Sequence, residues 1–232
     1  MNLIDEIYTK YPFYGIRRIK KELEKKHSII VSRTHIRRLM KEMGIEAIYP
    51  KKNLSKPNIQ NHTYPYLLRA LTIDHPNQVW GTDITYIKLN NGFCHLVAIM
   101  DWYSRYVIAW EVCSSLEIEF VIRNLNNALK TNTPEIFNSD QGSHFTSPRH
   151  TNVLSGNNIS ISMDGRGRCM DNIFTERLWR TVKYENIYIK SYSNISELRL
   201  GLEEYFHFYN YERFHSKLND RTPAEVYFNK II

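Results

Sequence analysis

Between residues 50 and 78 the chain offers no place for a long helix or an interior strand. Pro50, Pro57, Pro65 and Pro76 recur there among Lys51, Lys52, Asn53, Ser55 and Lys56. Each proline fixes φ and lacks the N–H that a helix interior or a central strand needs. The composition suits an extended, solvated linker. Folding must therefore happen on either side of it, in residues 1–49 and 79–232.

Charge divides at the same place. Residues 1–58 hold 14 Lys and Arg against 6 Asp and Glu, a net of +8, whereas the rest of the chain is nearly neutral at −1. A compact cationic module beside a neutral body predicts that the module holds a polyanion while the body does something else. With 42% hydrophobic residues, the longer part can bury a core of its own. No run of about 18 apolar residues occurs, and the amphipathic, charged N-terminus is unlike a signal peptide. A cytoplasmic protein without a membrane span is expected. Cys94, Cys113 and Cys169 are odd in number and widely spaced, which predicts reduced thiols rather than a disulfide framework or a zinc site.

In the first part, Ile16, Ile19 and Leu23 share a helical face, and after a break over residues 27–31 Ser32 is placed to cap a second helix. There Ile36, Leu39, Met40 and Met43 follow i, i+3, i+4, i+7 spacing. Arg33, Arg37 and Lys41 step by four along the other side, with Arg38 beside them. Gly44 ends the helix. Two short helices, the second basic, are what a helix-turn-helix needs to lay a recognition helix in the major groove. A solvated helical hairpin would show the same charge.

The longer part opens with strands predicted over 79–87, 93–99 and 106–112, the first two joined through Asn90-Asn91-Gly92, in the manner of a β-meander. A helix over 116–130 turns Ile118, Val121, Ile122, Leu125 and Leu129 inward, and a short strand follows over 135–138. This order predicts an α/β fold, a mixed sheet with helices packed on it, compatible with a ribonuclease-H-like arrangement among others. In the helical tail Asn194 and Glu197 form a capping pair, and Ile195, Leu198, Leu202, Tyr205, Phe206 and Tyr209 line one face. Thr222 and Glu225 start a further helix with Pro223 at its first position. Tyr209, Arg213 and His215 together could suggest a tyrosine recombinase, but that tyrosine belongs to the apolar stripe.

Three carboxylates stand out. Asp83 lies inside the first strand among apolar neighbours, where a lone carboxylate is costly unless a cation meets it. Asp140 follows the fourth strand, at the strand end where α/β sheets bind ligands. Glu176 lies one turn into a helix that starts near Asp171-Asn172, with Asn172 as its expected N-cap. Hard oxygen ligands on separate rigid elements suit a two-metal phosphoryl-transfer site. Each also has an ordinary explanation, as a sheet-edge acid, a turn residue or an acid favoured by the helix dipole.

Taken in order, the motifs resemble the orfB-type transposases of bacterial insertion sequences, whose retroviral-integrase-like core carries Asp, Asp and Glu. The resemblance runs from about Tyr11 to Phe228. It rests on Trp80 to Ile87, Asp101-Trp102-Tyr103-Ser104-Arg105, Ser139 to Phe145, Ser162 to Arg168, Asp171 to Arg177, Phe208 to Arg213 and Thr222-Pro223-Ala224-Glu225. Residues 141–175 supply the 35-residue spacing found in that family between the second Asp and the Glu. Pro12 to Ile19 is similar to the family's helix-turn-helix segment.

The resemblance implies a ribonuclease-H-like mixed five-stranded sheet flanked by helices, behind a small all-α arm and before a helical tail. It implies Mg²⁺ or Mn²⁺, two ions per site, on Asp83, Asp140 and Glu176, with Gly142 and Asn172 in support and Asp101, Asp164 and Asp171 as structural acids. DNA contacts are expected from Arg17, Arg18, Arg33, Arg37, Arg38 and Lys41 in the arm and from Arg180 and Lys183 in the core. The implied activity is cleavage and strand transfer at terminal inverted repeats, by a homo-oligomer on DNA in the bacterial nucleoid. Departures from the family pattern are Phe214 and Asn219-Asp220 in the tail, and Pro148-Arg149-His150 with Ser155 to Asn158, which predict a short or irregular helix. With no upstream helices ahead of the arm, a DNA-binding remnant or repressor of the parent element is the alternative.

Overall fold

In the computed structural model, residues 1–48, 62–90, 92–165 and 172–229 are described, and contacts separate the chain into two units, Met1–Pro57 and Asn58–Ile232. The expectations placed on residues 50–61, Asn91, Arg166 to Arg168, Cys169 and Asp171 fall outside the described residues.

The first unit is three helices, α1 (Asn2–Lys10), α2 (Ile16–His27) and α3 (Arg33–Glu42), around Ile4, Ile7, Ile19, Leu23, Ile36 and Met40. Ser32 caps α3 as its sequence predicts, its Oγ accepting from the His35 N–H at 3.2 Å. Gly44 follows the helix with φ +67°, a conformation that glycine adopts without steric cost.

The second unit is built on one five-stranded sheet in the order β3-β2-β1-β4-β5. β1 (Val79–Leu89), β2 (Gly92–Asp101) and β3 (Val107–Cys113) form the antiparallel meander, and β4 (Ile136–Ser139) and β5 (Ser160–Met163) continue in parallel beside β1. Alternation along β1 sends Val79 and Ile87 to one face and Trp80 to the other, so two cores form. One is covered by α4 (Ile118–Leu129) and α5 (Pro148–Gly156), the other by α6 (Ile173–Val182) and α7 (Ile195–Tyr211). A wide π-type turn, Lys183–Ile187, extends α6. The capping signals of the tail are realised: the Asn194 side chain accepts from Glu197 N–H, and Thr222 with Glu225 makes a full capping box at the start of α8 (Pro223–Tyr227).

Two segments differ from their sequence reading. Residues 62–78 are extended without regular structure, but they are not a free linker. Leu68 is buried in the core with Tyr66, Leu71 and Ile73 against it, and Leu67 N–H donates to Ser162 Oγ at 3.1 Å. The prolines block helix and strand, while the apolar residues between them gain more by burial than by solvation. The segment after Phe145 is short, as expected, but regular. α5 has Pro148 at its first turn, where the missing N–H costs nothing.

Candidate active site

Gly81 of β1 pairs with Asn138 of β4 at the end of their parallel ladder, so Asp83 and Asp140, just beyond the end of β4, each lie two residues past that pair. α6 lies against β1. The Trp179 indole N–H donates to Asp83 Oδ2 at 2.9 Å, and Lys183 Nζ donates to Thr85 Oγ1 at 2.7 Å. Glu176, Trp179 and Lys183 follow i, i+3, i+7 spacing, so Glu176 stands on the helix flank that meets Asp83 and Thr85.

The three carboxylates differ in surroundings. Asp83 is half-buried, whereas Asp140 and Glu176 are exposed. Burial pushes the Asp83 carboxyl up to about 6. The Trp179 indole and the Ile84 backbone N–H oppose the shift, and the Asp140 and Glu176 carboxylates add to it. Those two acids therefore lie within electrostatic reach of Asp83. None of the three forms an ion pair among the described residues. Nor do any three His, Cys, Asp or Glu side chains among the described residues stand close enough together to hold a metal ion as they are. As a donor set, three hard carboxylates suit Mg²⁺ or Mn²⁺.

Neighbouring residues hold this arrangement. Gly142 N–H donates to Asp140 Oδ1 at 2.8 Å, and a Cβ at Gly142 would stand 2.8 Å from that oxygen, so a side chain there would dislodge the carboxylate. Asn172 occupies the N-cap position of α6, but its side chain caps no backbone N–H. Its Nδ2 donates to Thr82 O at 3.4 Å and its Oδ1 accepts from Thr175 Oγ1 at 2.6 Å, which ties the start of α6 to the strand that carries Asp83. Asp101 and Asp164 are structural. Asp101 is fully buried and accepts from Ser104 N–H at 2.8 Å and Asn77 N–H at 2.7 Å, and Asp164 accepts from Asn138 Nδ2 at 2.8 Å. Trp179 was not singled out in the sequence, although its place three residues after Glu176 could have marked it.

The expected DNA contacts divide. In the arm, Arg17, Arg18, Arg33 and Arg37 line one cavity of about 380 Å³ beside the exposed Phe13. Lys41 is exposed, and Arg38 lies 3.7 Å from Glu42. In the core, Arg180 is exposed above the Tyr184 ring, while Lys183 is half-buried against β1. The tail trio gives no nucleophile. Tyr209 is buried, and Arg213 is paired with Glu185 at 2.6 Å. Cys94 and Cys113 are free thiols, Cys94 buried. No helix among the described residues is long and apolar enough to cross a membrane.

The fold is that of an integrase-type core, preceded in the chain by a helix-turn-helix-like arm. Residues 73–169 and 157–223 match Integrase core domain families, and residues 1–53 match an HTH-like domain. The catalytic core domain of HTLV-2 integrase, solved in complex with magnesium, superposes with a TM-score of 0.55 at 19% identity over 66% of this chain and 97% of that one. InsK of insertion sequence element IS150 from Escherichia coli (strain K12) is 32% identical over 96% of this chain and 80% of its own length. The transposase for insertion sequence element IS629 of Shigella sonnei is 28% identical over 96% of this chain and 77% of its length. The chain belongs to the insertion-sequence transposase family.

Proposed function

We propose that the protein binds the ends of its insertion element through the arm and cuts and joins DNA at Asp83, Asp140 and Glu176. The observation that carries this reading is Asp83. Its half-buried carboxyl is pushed up by burial, it forms no ion pair among the described residues, and the carboxylates of Asp140 and Glu176 lie within its electrostatic reach. Two bound Mg²⁺ or Mn²⁺ ions would supply charge stabilisation and nucleophile activation. The chain's own part is positioning: the Trp179 indole holds Asp83, Gly142 N–H holds Asp140, and Asn172 fixes the helix that carries Glu176. In this reading water attacks a phosphodiester at the element end and releases a 3′-hydroxyl. That hydroxyl then attacks target DNA in line, with no covalent bond to the protein. Arg180 and Lys183 hold the reacting strand, Arg17, Arg18, Arg33, Arg37, Arg38 and Lys41 hold the terminal repeat, and the assembly is a homo-oligomer on DNA.

Incubating purified protein with labelled terminal-repeat DNA and Mg²⁺ or Mn²⁺ tests the reading. Cleavage that survives Asp83→Asn, Asp140→Asn and Glu176→Gln alike sinks it. A DNA-binding remnant or repressor is the second reading, favoured by the carboxylates not being gathered into a ligand sphere among the described residues. Metal-independent binding with no cleavage by the wild-type chain would select it. The regular α5 removes one ground for it.

A further inference from the structure

On the flank of α6 next to Glu176, a cavity of about 750 Å³ opens between the helix and residues 213–220. Its lining holds five cations, Arg105, Arg177, Arg180, Arg213 and Lys217, against two carboxylates, Glu185 and Asp220. Glu185 is already satisfied, by Arg213 at 2.6 Å and by the Tyr205 hydroxyl at 2.9 Å. In a core that is otherwise nearly neutral, this is a concentrated positive surface.

Arg105 is its most unusual member. The residue sits at φ +66°, a left-handed conformation that costs a non-glycine residue free energy and that collects at functional sites. Its guanidinium lies flat on Phe174, 3.4 Å from the ring centroid, and donates to the Trp102 carbonyl. Among the described residues it forms no ion pair, although the buried Asp101 carboxylate lies within its electrostatic reach, and burial pushes it down to about 10. A desolvated cation with free donors is an anion-binding group. His215 beside it is held neutral, pushed down to about 4 by burial and then by Arg213 and Arg105. Its lining also includes two largely exposed aromatic rings, Tyr184 at 64% exposure, with the Tyr188 ring edge-on and Arg180 over its face, and Phe214 at 68%.

We propose that this cavity is a second nucleic-acid site, taking a phosphodiester on Arg105, Arg177 and Lys217 with an unpaired base stacked on Tyr184 or Phe214. The proposal rests on the reading that DNA lies at the carboxylates, since Glu176 and Arg180 are one helical turn apart. A polyanion with planar faces matches both the charge excess and the exposed rings, the combination by which proteins hold single strands. An apolar protein segment would answer the rings and leave the arginines unmatched.

The test uses the full chain in chelator-containing buffer and an eight-nucleotide oligothymidine with one 5-bromouracil, with a blunt duplex as comparison. Ultraviolet irradiation should cross-link the base to the peptide that holds Tyr184 or to the one that holds Phe214. Tyr184→Ala and Phe214→Ala, both at exposed positions, should each weaken oligothymidine binding roughly tenfold and leave duplex binding unchanged. Arg105→Lys keeps the charge, loses the flat stack and should weaken it as well. Cross-links confined to residues 1–57, or less than a twofold change in both aromatic variants, would overturn the proposal. So would a loss of self-association in those variants with oligothymidine affinity intact, which would make the cavity a protein interface. Because no metal is present, these outcomes are independent of whether Asp83→Asn abolishes cleavage.

Discussion

Arm and core handle charge in opposite ways. In the arm, Arg17, Arg33, Arg37 and Lys41 stand exposed around six buried apolar residues, so they keep their hydration and cost the fold little. In the core, Asp83 is half-buried, its carboxyl pushed up by burial and by two acids. A surface charge can be removed without disturbing the structure beneath it. A buried charge works against the structure that holds it. Function and stability should therefore be separable in the arm and opposed in the core.

The largest effect expected is at the carboxylates. Asp83→Asn, Asp140→Asn and Glu176→Gln should each lower cleavage of labelled terminal-repeat DNA by roughly 10³-fold or more, because each removes a charged donor for the metals. At Asp83 stability should move the other way. Its folded pKa, about 6, lies above the ordinary 3.8, so at neutral pH the folded state carries an unfavourable charge. In metal-free buffer at pH 7, Asp83→Asn should stabilise the core by on the order of 2 kcal/mol, read from denaturant midpoints. Destabilisation would break the contrast between the two units.

His150 is a further buried titratable group of the core. It is 1% exposed, between Phe137 and Phe145, and burial pushes its imidazole down to about 4 from 6.5. The unfolded chain therefore binds a proton near pH 6.5 that the folded core refuses until about pH 4. Stability from this group is intact above pH 6.5, falls as pH drops through the window, and levels off below 4. The loss should approach about 3 kcal/mol, and His150→Phe should flatten it in urea titrations at stepped pH.

This contrast also governs what could be read from the sequence. Periodicity placed β1, β2, β3, β4, α4 and the tail helix within about two residues, because long elements repeat their pattern. It did not single out β5, whose four residues Ser160–Met163 are too short and too mixed to alternate clearly. Nor did it separate α1, whose contribution to the core is Ile4 and Ile7. The exposed cations of the arm could be read directly. The carboxylates stood out through motif order and spacing, not through any property of one residue. The sequence shows Lys183 as a cation seven residues after Glu176, but not what it meets within the fold. Its bond to Thr85 depends on how α6 docks on β1, which no local pattern carries.

A smaller effect tests the arm. Arg33, Arg37 and Lys41 project from one side of α3, so replacing all three with Ala should weaken duplex binding by roughly 10- to 100-fold at moderate salt. If each meets a phosphate, the slope of log affinity against log salt should fall by about 3. Thermal stability should hardly move. Lys25→Ala with Lys26→Ala, in the last turn of α2, should do much less. Equal losses from the two sets would mean that the arm acts through net charge alone.

The smallest effect places one device in both units. Ser32 and Thr222 are N-caps of the same kind, each side-chain oxygen accepting from a backbone N–H three residues on at 3.2 Å. Replacing either with Ala should cost about 1 kcal/mol. The consequence should differ, because unfolding entropy grows with the number of residues that melt together. One kcal/mol shifts the midpoint of a domain of about 60 residues by up to roughly 8 °C, and that of one of about 175 residues by about 3 °C. In calorimetry of the full chain, Ser32→Ala should lower one transition by the larger amount, and Thr222→Ala a different one by the smaller. A single transition, shifted alike by both, would mean that arm and core unfold as one cooperative unit.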